Sequence, residues 1–191
     1  MHKFCLPASG SQEYLRTYCG ILERMIAGMT GATLNCSISH NFIVQMIPHH
    51  QAAIEMSQNI LHHTQNETLW EIATQIIAEQ TKSIENMRSI LCSCTRLESP
   101  PEAVCRYQQH MNAIMSAMFT RMRRARATRR VDCNFLREML PHHKGAVEMA
   151  SITLQAGVCP ELVPILQAII TSQEAGIDQM EALASSLHCR C

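Results

Sequence analysis

The sequence has little of what marks several common classes of protein. Aromatic residues make up 4% of the 191 residues, and the formal net charge is zero. Without a net positive charge, the chain has no general attraction to the phosphates of nucleic acid. No apolar run approaches the roughly 20 residues of a membrane-spanning helix, and no early apolar segment has the length of a signal peptide. We therefore expect a cytoplasmic protein with neither nucleic acid nor a membrane as partner.

Motifs typical of several enzyme classes are also missing. No Glu is followed three residues later by His, the pair that di-iron oxidases place on the core helices of a bundle. There is no H-E-x-x-H metalloprotease motif and no Gly-rich phosphate loop. A Cys and a His could form a nucleophile pair, but no feature distinguishes one of the ten cysteines. An enzyme is therefore the weaker hypothesis.

Residues with soft or nitrogen donor atoms are abundant. The chain contains 13 Met, 10 His and 10 Cys. Thioether, thiolate and imidazole together favour Cu(I) over harder cations. In a reducing cytosol, we expect the cysteines to be thiols or metal ligands and not a disulfide framework.

An internal repeat is the strongest signal in the sequence. The stretch MIPHHQAAIEM at 46–56 returns as MLPHHKGAVEM at 139–149, an offset of 93 residues. The same offset, without gaps, aligns identical residues upstream and downstream: Tyr14 and Tyr107, Met25 and Met118, Met29 and Met122, Gln80 and Gln173, Met87 and Met180. We interpret residues 1–191 as one duplicated domain. The repeats span about 12–94 and 105–187, and a Pro-Pro linker covers 95–104.

Apolar residues recur in each half at the three- and four-residue steps of helices. The predicted helices are 12–29, 40–62, 68–91, 106–124, 133–156 and 161–187, with Ser39 and Asp132 as N-caps of the second and fifth. Short connections favour antiparallel neighbours. The predicted fold is all-α, a ferritin-like four-helix bundle built from a tandem duplication. The second and third helices of each half form the core, and the two leading helices pack beside it.

The second helix carries the repeated His pair on its apolar side. At 100° per residue, Met46, His49 and Met56 share one stripe, His50 lies at its edge, and Glu55 lies on the far side. The thioethers and at least one imidazole therefore point to the core. Pro48 removes a helical hydrogen bond, so the helix either kinks or restarts there, and a restart would put the His pair at a helix N-terminus that disfavours imidazolium.

Two interpretations of this stripe remain open. Methionine often fills irregular gaps in a core, and a buried His is often only structural. The second Pro-His-His, which packing does not require, favours a metal site. The main candidate ligands are Met46, His49, His50, Met56, Met139, His142, His143 and Met149. Four further methionines are second candidates, at helical spacing in the leading helices: Met25, Met29, Met118 and Met122.

Other possible donors carry weaker signals. His40 and Cys133 occupy matching positions in the two halves. CSC at 92–94 and CRC at 189–191 could hold Cu(I) or Zn(II), or could be incidental thiols. Six arginines in 121–130 indicate either an anionic partner or favourable charges at a helix C-terminus.

The motif F-x-x-x-M-[IL]-P-H-H-x-x-A-[IV]-E-M, at 42–56 and 135–149, resembles the bacterial "domain of unknown function 305" family. The resemblance extends over roughly 12–187. It implies a ferritin-like helical bundle and, for some members, copper or silver binding and tolerance. Members often carry Glu before an Ile of the third helix, where this chain has Ser83 and Gly176.

Together these observations predict a noncatalytic protein that binds Cu(I) for copper buffering, transfer or tolerance. Ag(I) and Zn(II) are further candidate metals. A homo-oligomer or a copper-exchange protein is a candidate partner. The alternatives are a helical protein-interaction module without metal and a metal-dependent redox enzyme.

Overall fold

The computed structural model describes residues 9–189. In this part of the chain the regular secondary structure is helical, with no strand. It contains six α-helices: α1 Ser9–Thr30, α2 Ile38–Leu61, α3 Glu67–Cys94, α4 Pro101–Arg123, α5 Val131–Leu154 and α6 Val163–Ser186. A 3-10 turn, Pro160–Leu162, leads into α6. The predicted all-α fold is confirmed.

Four of these helices form the centre of the bundle. α2 packs on α3, and α5 packs on α6; the two pairs then meet through α2 with α5 and α3 with α6. α1 packs against α2, and α4 packs against α5. Each half thus contributes two core helices and one outer helix. The tandem duplication and the ferritin-like ancestry stay predictions. None of the described helices combines the length and apolar character needed to cross a membrane.

The predicted N-caps are wrong by two residues. α2 is capped by Ser37, whose Oγ accepts a hydrogen bond from the His40 amide. The turn occurs early because the Ser37 amide is itself held by Asn35 Oδ1 at 2.7 Å. Ser39 is buried inside the helix and accepts the amide of Cys159 at 2.9 Å. Asp132 lies in the first turn of α5, after its N-cap residue Arg130.

The linker between the halves is shorter than predicted. Pro100 is the N-cap residue of α4, and Pro101 is its first residue. Proline suits this position because its fixed φ is helical and the first turn needs no amide donor. The Pro-Pro pair therefore starts a helix and does not extend the linker to 104.

α2 and α5 continue through their internal prolines. Pro48 and Pro141 lie inside Ile38–Leu61 and Val131–Leu154. The predicted alternative in which the helix restarts at Pro48 is therefore wrong, and the His pairs lie in mid-helix. Gly28 on α1 faces Pro48 so closely that an added Cβ would lie 2.8 Å from the Pro48 Cβ. The glycine thus lets the outer helix pack against the proline.

Two disulfides contradict the prediction that the cysteines are thiols or ligands. Cys94 at the end of α3 is bonded to Cys159 before α6, and Cys133 near the start of α5 is bonded to Cys189. The donors proposed at Cys133 and at Cys94 of the CSC cluster are therefore already bonded to sulfur. In the CRC cluster Cys189 is also bonded, and Cys191 lies outside the described residues. Disulfides are typical of oxidising compartments, so the cytoplasmic location stays a prediction without structural support.

Candidate metal site

Four histidines meet at the centre of the bundle, where α2 crosses α5. His49 and His142 stack face to face, with ring centroids 3.7 Å apart and an interplanar angle of 27°. The ring centroids of His50 and His49 are 5.8 Å apart, and those of His143 and His142 are 5.9 Å apart. All four side chains are buried. The two predicted His pairs are thus brought together in one interior cluster, which we call the histidine cluster.

Most ring nitrogens of the histidine cluster have no hydrogen-bond partner. His142 Nε2 lies 3.1 Å from the carbonyl oxygen of His49, and His50 Nε2 lies 3.0 Å from Ser83 Oγ. A carbonyl can only accept, so His142 carries its proton on Nε2 and leaves a lone pair on Nδ1. Both nitrogens of His49, and the Nδ1 atoms of His50, His142 and His143, are buried and make no hydrogen bond of good geometry, although backbone groups of His142 and Met139 lie near His49 and His143. A buried polar atom without a partner costs free energy, so these five nitrogens need an explanation.

Burial keeps the four rings neutral. It lowers the pKa of His50 to about 3 and that of His142 to about 4. The pKa values of His49 and His143 are also well below 6.5, because of burial first and then the charge of neighbouring rings. Neutral imidazole is the form that binds a metal ion. The cluster therefore has its nitrogen donors ready at neutral pH.

The thioethers predicted as ligands are also inside the bundle. All eight are buried: Met25, Met29, Met46, Met56, Met118, Met122, Met139 and Met149. One of them contacts the helix backbone beside the cluster. A Cβ added at Gly145 would clash with the Met118 Sδ atom. Because Gly145 has no side chain, this sulfur packs against the backbone of α5 one turn after His142.

Carboxylates lie outside the cluster, as the sequence predicts for Glu55. Glu55 forms an ion pair with Arg24 at 2.6 Å, and its counterpart Glu148 lies 3.7 Å from Arg121. Both pairs are on the periphery of the bundle. The carboxylates of the two repeated motifs therefore point away from the imidazoles and thioethers.

The histidines alone do not form a closed chelate. Among the described residues, the only three His, Cys or carboxylate groups with ligand atoms within 4.8 Å of one another are Cys94, Cys159 and Glu161. The two sulfurs there form a disulfide. A metal ion at the histidine cluster would have to recruit thioether sulfur or rotate a ring. Which of the predicted residues bind the ion thus remains a prediction.

His40 is held by other contacts. Its Nδ1 lies 2.9 Å from Thr95 Oγ1, and its Nε2 lies 3.0 Å from the carbonyl oxygen of Thr33. These contacts tie the start of α2 to the end of α3 and to the preceding loop. Both nitrogens are engaged, so His40 serves the fold in this arrangement.

A buried Tyr-Glu pair was missed by the sequence analysis. The Tyr14 hydroxyl on α1 donates to Glu138 Oε2 on α5 at 2.5 Å. Burial raises the pKa of Glu138 to about 8, although the hydrogen bond from Tyr14 acts against this shift. The matching residue of the first half is Gln45, also buried. The sequence did offer a signal for this pair, because a charged residue, Glu138, directly precedes Met139 on the buried stripe.

Solved structures with the same fold include metal-bound proteins. CopM in a silver-bound form obtained by soaking is 30% identical to this chain, with a TM-score of 0.58, and the match covers 78% of this chain and 96% of that one. CopM in its Cu(I)-bound form is 28% identical, with a TM-score of 0.59 and the same coverage. A DUF305 fragment from Deinococcus radiodurans is 23% identical, with a TM-score of 0.58 over 81% of this chain and 98% of that one, and supports the fold alone.

No curated protein matches the sequence. The sequence profile of one family, described as "Domain of unknown function (DUF305)", matches residues 39–184. This range includes α2, α3, α4 and α5 and nearly all of α6, with both His pairs. The resemblance drawn from the doubled Pro-His-His motif is therefore confirmed, and the chain belongs to the DUF305 family.

Proposed function

We propose that this protein binds Cu(I) at the histidine cluster, and that it binds Ag(I) with the same donor atoms. Its role is to buffer copper, to transfer it or to confer tolerance to it, without catalysing a reaction. The observation that carries the proposal is the set of five buried ring nitrogens that make no hydrogen bond of good geometry. Each neutral imidazole has one lone pair, so a soft monovalent ion bound to the lone pairs among these nitrogens would reduce the cost of leaving them unpaired. The silver- and Cu(I)-bound structures of CopM support this choice of metal.

The proposed ligands are the histidines together with the thioethers of the same helices. The imidazoles are His49, His50, His142 and His143, and the sulfurs are Met46, Met56, Met139 and Met149, with Met25, Met29, Met118 and Met122 supporting them. Imidazole and thioether are both uncharged, which suits Cu(I) and Ag(I). Zn(II) fits less well, because structural zinc sites in proteins draw on thiolates, and the carboxylates of Glu55 and Glu148 point away.

The interaction-module alternative has less support. It requires the Met-rich face of α4 to be open to a partner helix. Met111, Met115, Met118 and Met122 are all buried within the fold. That face is therefore occupied by the chain's own helices.

An anaerobic Cu(I) titration against a competing chelator tests the proposal. Thiolates bind Cu(I) themselves, so the background should carry Ser in place of the exposed free cysteines of the described residues, Cys19, Cys36, Cys92 and Cys105, and in place of Cys5 and Cys191, which lie outside the described residues. We expect His49→Ala/His142→Ala to weaken binding at least about tenfold, since even the loss of groups that only support a ligand costs this much. Unchanged affinity in this variant would contradict the proposal.

The chain offers a matched control for this titration. His62 and His63 form a third His-His pair directly after α2, and neither is buried. The variant His62→Ala/His63→Ala removes the same chemistry and should keep wild-type affinity. Met46→Leu/Met139→Leu, a swap of similar volume that cores tolerate, should weaken binding while the far-UV circular dichroism stays unchanged.

A further inference from the structure

Six exposed arginines lie in residues 121–130, around the end of α4 and the start of α5. No Asp or Glu occurs from 103 to 131. The matching segment of the first half, 28–37, reads GMTGATLNCS and carries no charged side chain. The positive charge is thus confined to the second half, and either the local fold or a partner must account for it.

The local fold does not require these arginines, because both segments are closed by the same pair of hydrogen bonds. The Asn35 amide donates to Asn41 Oδ1 at 2.8 Å, and the Asn41 side chain donates to the Asn35 carbonyl oxygen at 3.0 Å. Thr128 and Asn134 make the same two bonds, at 2.8 Å and 2.9 Å. The uncharged segment therefore forms the same closed loop without an arginine.

Helix dipoles account for only part of the charge. Cations are favourable at a helix C-terminus, which suits Arg121 and Arg123 in the last turn of α4. α1 nevertheless ends without a basic residue in its last turn. Cations are unfavourable at a helix N-terminus, and Arg129 and Arg130 directly precede α5. The dipole effects at the two helix ends therefore oppose each other and do not explain the whole set.

Four of the six guanidinium groups have no partner among the described residues. Of the other two, Arg121 lies 3.7 Å from Glu148, and Arg130 donates to the carbonyl oxygen of Leu187 at 2.7 Å. Exposed guanidinium groups without a partner suit bidentate contact with the carboxylates or phosphates of another molecule. We call the four the arginine cluster: Arg123, Arg124, Arg126 and Arg129.

A groove of about 460 Å³ adjoins the arginine cluster, and Arg123 is part of its lining. The amide side chains of Gln108 and Asn112 and the ring of Phe119 line it as well. An extended peptide suits such a lining, since its backbone groups pair with side-chain amides and its apolar side chains cover the ring. A flat lipid surface would leave a concave groove unfilled.

We propose that the arginine cluster and this groove bind an acidic peptide segment of another protein. Its carboxylates pair with the guanidinium groups while its backbone lies along the groove. Single-stranded nucleic acid is the weaker match, because successive bases stack on aromatic side chains, and Phe119 is the only aromatic residue in the described lining of the groove. The inference goes beyond the proposed function, since it involves no metal ion and none of the proposed metal ligands.

Fluorescence anisotropy of a fluorescein-labelled peptide of alternating Glu and Leu, mixed with the metal-free protein, tests this inference. We expect binding that weakens as salt is raised from about 20 mM to about 200 mM, because exposed charge pairs are screened. Each exposed pair changes affinity roughly twofold, so binding should weaken about tenfold in the variant Arg123→Gln/Arg124→Gln/Arg126→Gln/Arg129→Gln. Little effect is expected from a control that removes the same charge from other exposed positions, Arg16→Gln/Lys82→Gln/Arg88→Gln/Arg96→Gln.

Two exposed positions on α4 separate the groove from the charge. Ser116→Trp fills the groove and should weaken binding, whereas Ala113→Trp, on the same helix outside the groove, should not. Absence of peptide binding, equal losses in the two charge variants, or unchanged binding in Ser116→Trp would each overturn the inference. Tighter binding of phosphatidylglycerol vesicles or of single-stranded DNA would also overturn it. None of these outcomes bears on Cu(I) binding, so the proposed function is tested separately.

Discussion

Acidification from pH 6.5 to pH 5 is expected to destabilise the metal-free protein by roughly 5 kcal/mol. The four buried rings stay neutral when folded, since their pKa values lie well below 6.5, but they take up protons when unfolded. Stability is therefore present above pH 6.5 and lost as the pH falls. An unfolded ring is already half protonated at pH 6.5, so each ring accounts for roughly 1.6 kcal/mol and the four for roughly 7 kcal/mol, of which Glu138 offsets roughly 2 kcal/mol. Domains have only about 5–15 kcal/mol in total, so unfolding in mild acid is expected.

Glu138 gives the stability profile an opposite slope above about pH 7. Its folded pKa of about 8 exceeds the ordinary 4.5, so its contribution is complete below pH 4.5 and is lost as the pH rises to 8. Urea unfolding across pH 4.5–8.5 should therefore show a maximum at about pH 7, where the protons taken up by the unfolded histidines balance the proton held by folded Glu138. Glu138→Gln, which copies Gln45 of the first half, should flatten the alkaline side and keep the acid side. A flat acid side in the wild-type protein would contradict the neutral histidine cluster.

Reduction of the disulfides is expected to lower the free energy of unfolding by about 4 kcal/mol for each bond, on the chain-entropy account of cross-links. The bonds close long segments, with sequence separations of 65 for Cys94–Cys159 and 56 for Cys133–Cys189. The first bond joins the two halves, and the second holds the end of the chain to α5. Guanidinium unfolding with and without a thiol reductant measures the effect.

Paired serine variants separate the two bonds. Cys94→Ser/Cys159→Ser and Cys133→Ser/Cys189→Ser should each lose part of the stability and part of the response to reductant. Replacing the four exposed free cysteines should change neither. A wild-type protein with equal unfolding midpoints under oxidising and reducing conditions would show that the cross-links do not stabilise the fold.

Helix content and the interior position of the His pairs were predictable, because both depend on periodicity. The 93-residue offset places each Pro-His-His on the same face of a helix, and an apolar stripe identifies the buried face. Met46 and His49 share that stripe, so their burial follows from helical geometry. Glu55 falls opposite to it and indeed pairs with Arg24 on the periphery.

Contacts distant in sequence were not predictable. The pairing of Cys94 with Cys159 depends on how the end of α3 meets the turn before α6, and spacing along the chain carries no signal for it. The bond from Tyr14 to Glu138 joins α1 to α5 across the interface between the halves. The contact of Ser83 with His50 likewise depends on the rotation of α3 against α2.

X-ray absorption at the copper edge of the Cu(I)-loaded protein, with serine at all six cysteines outside the two disulfides, tests the central claim most directly. Buried imidazole and thioether from different helices should bind the same ion. We expect nitrogen and sulfur together in the first coordination shell, and loss of the nitrogen signal in His49→Ala/His142→Ala. A shell with only one of the two elements, or one unchanged by that substitution, would contradict this account.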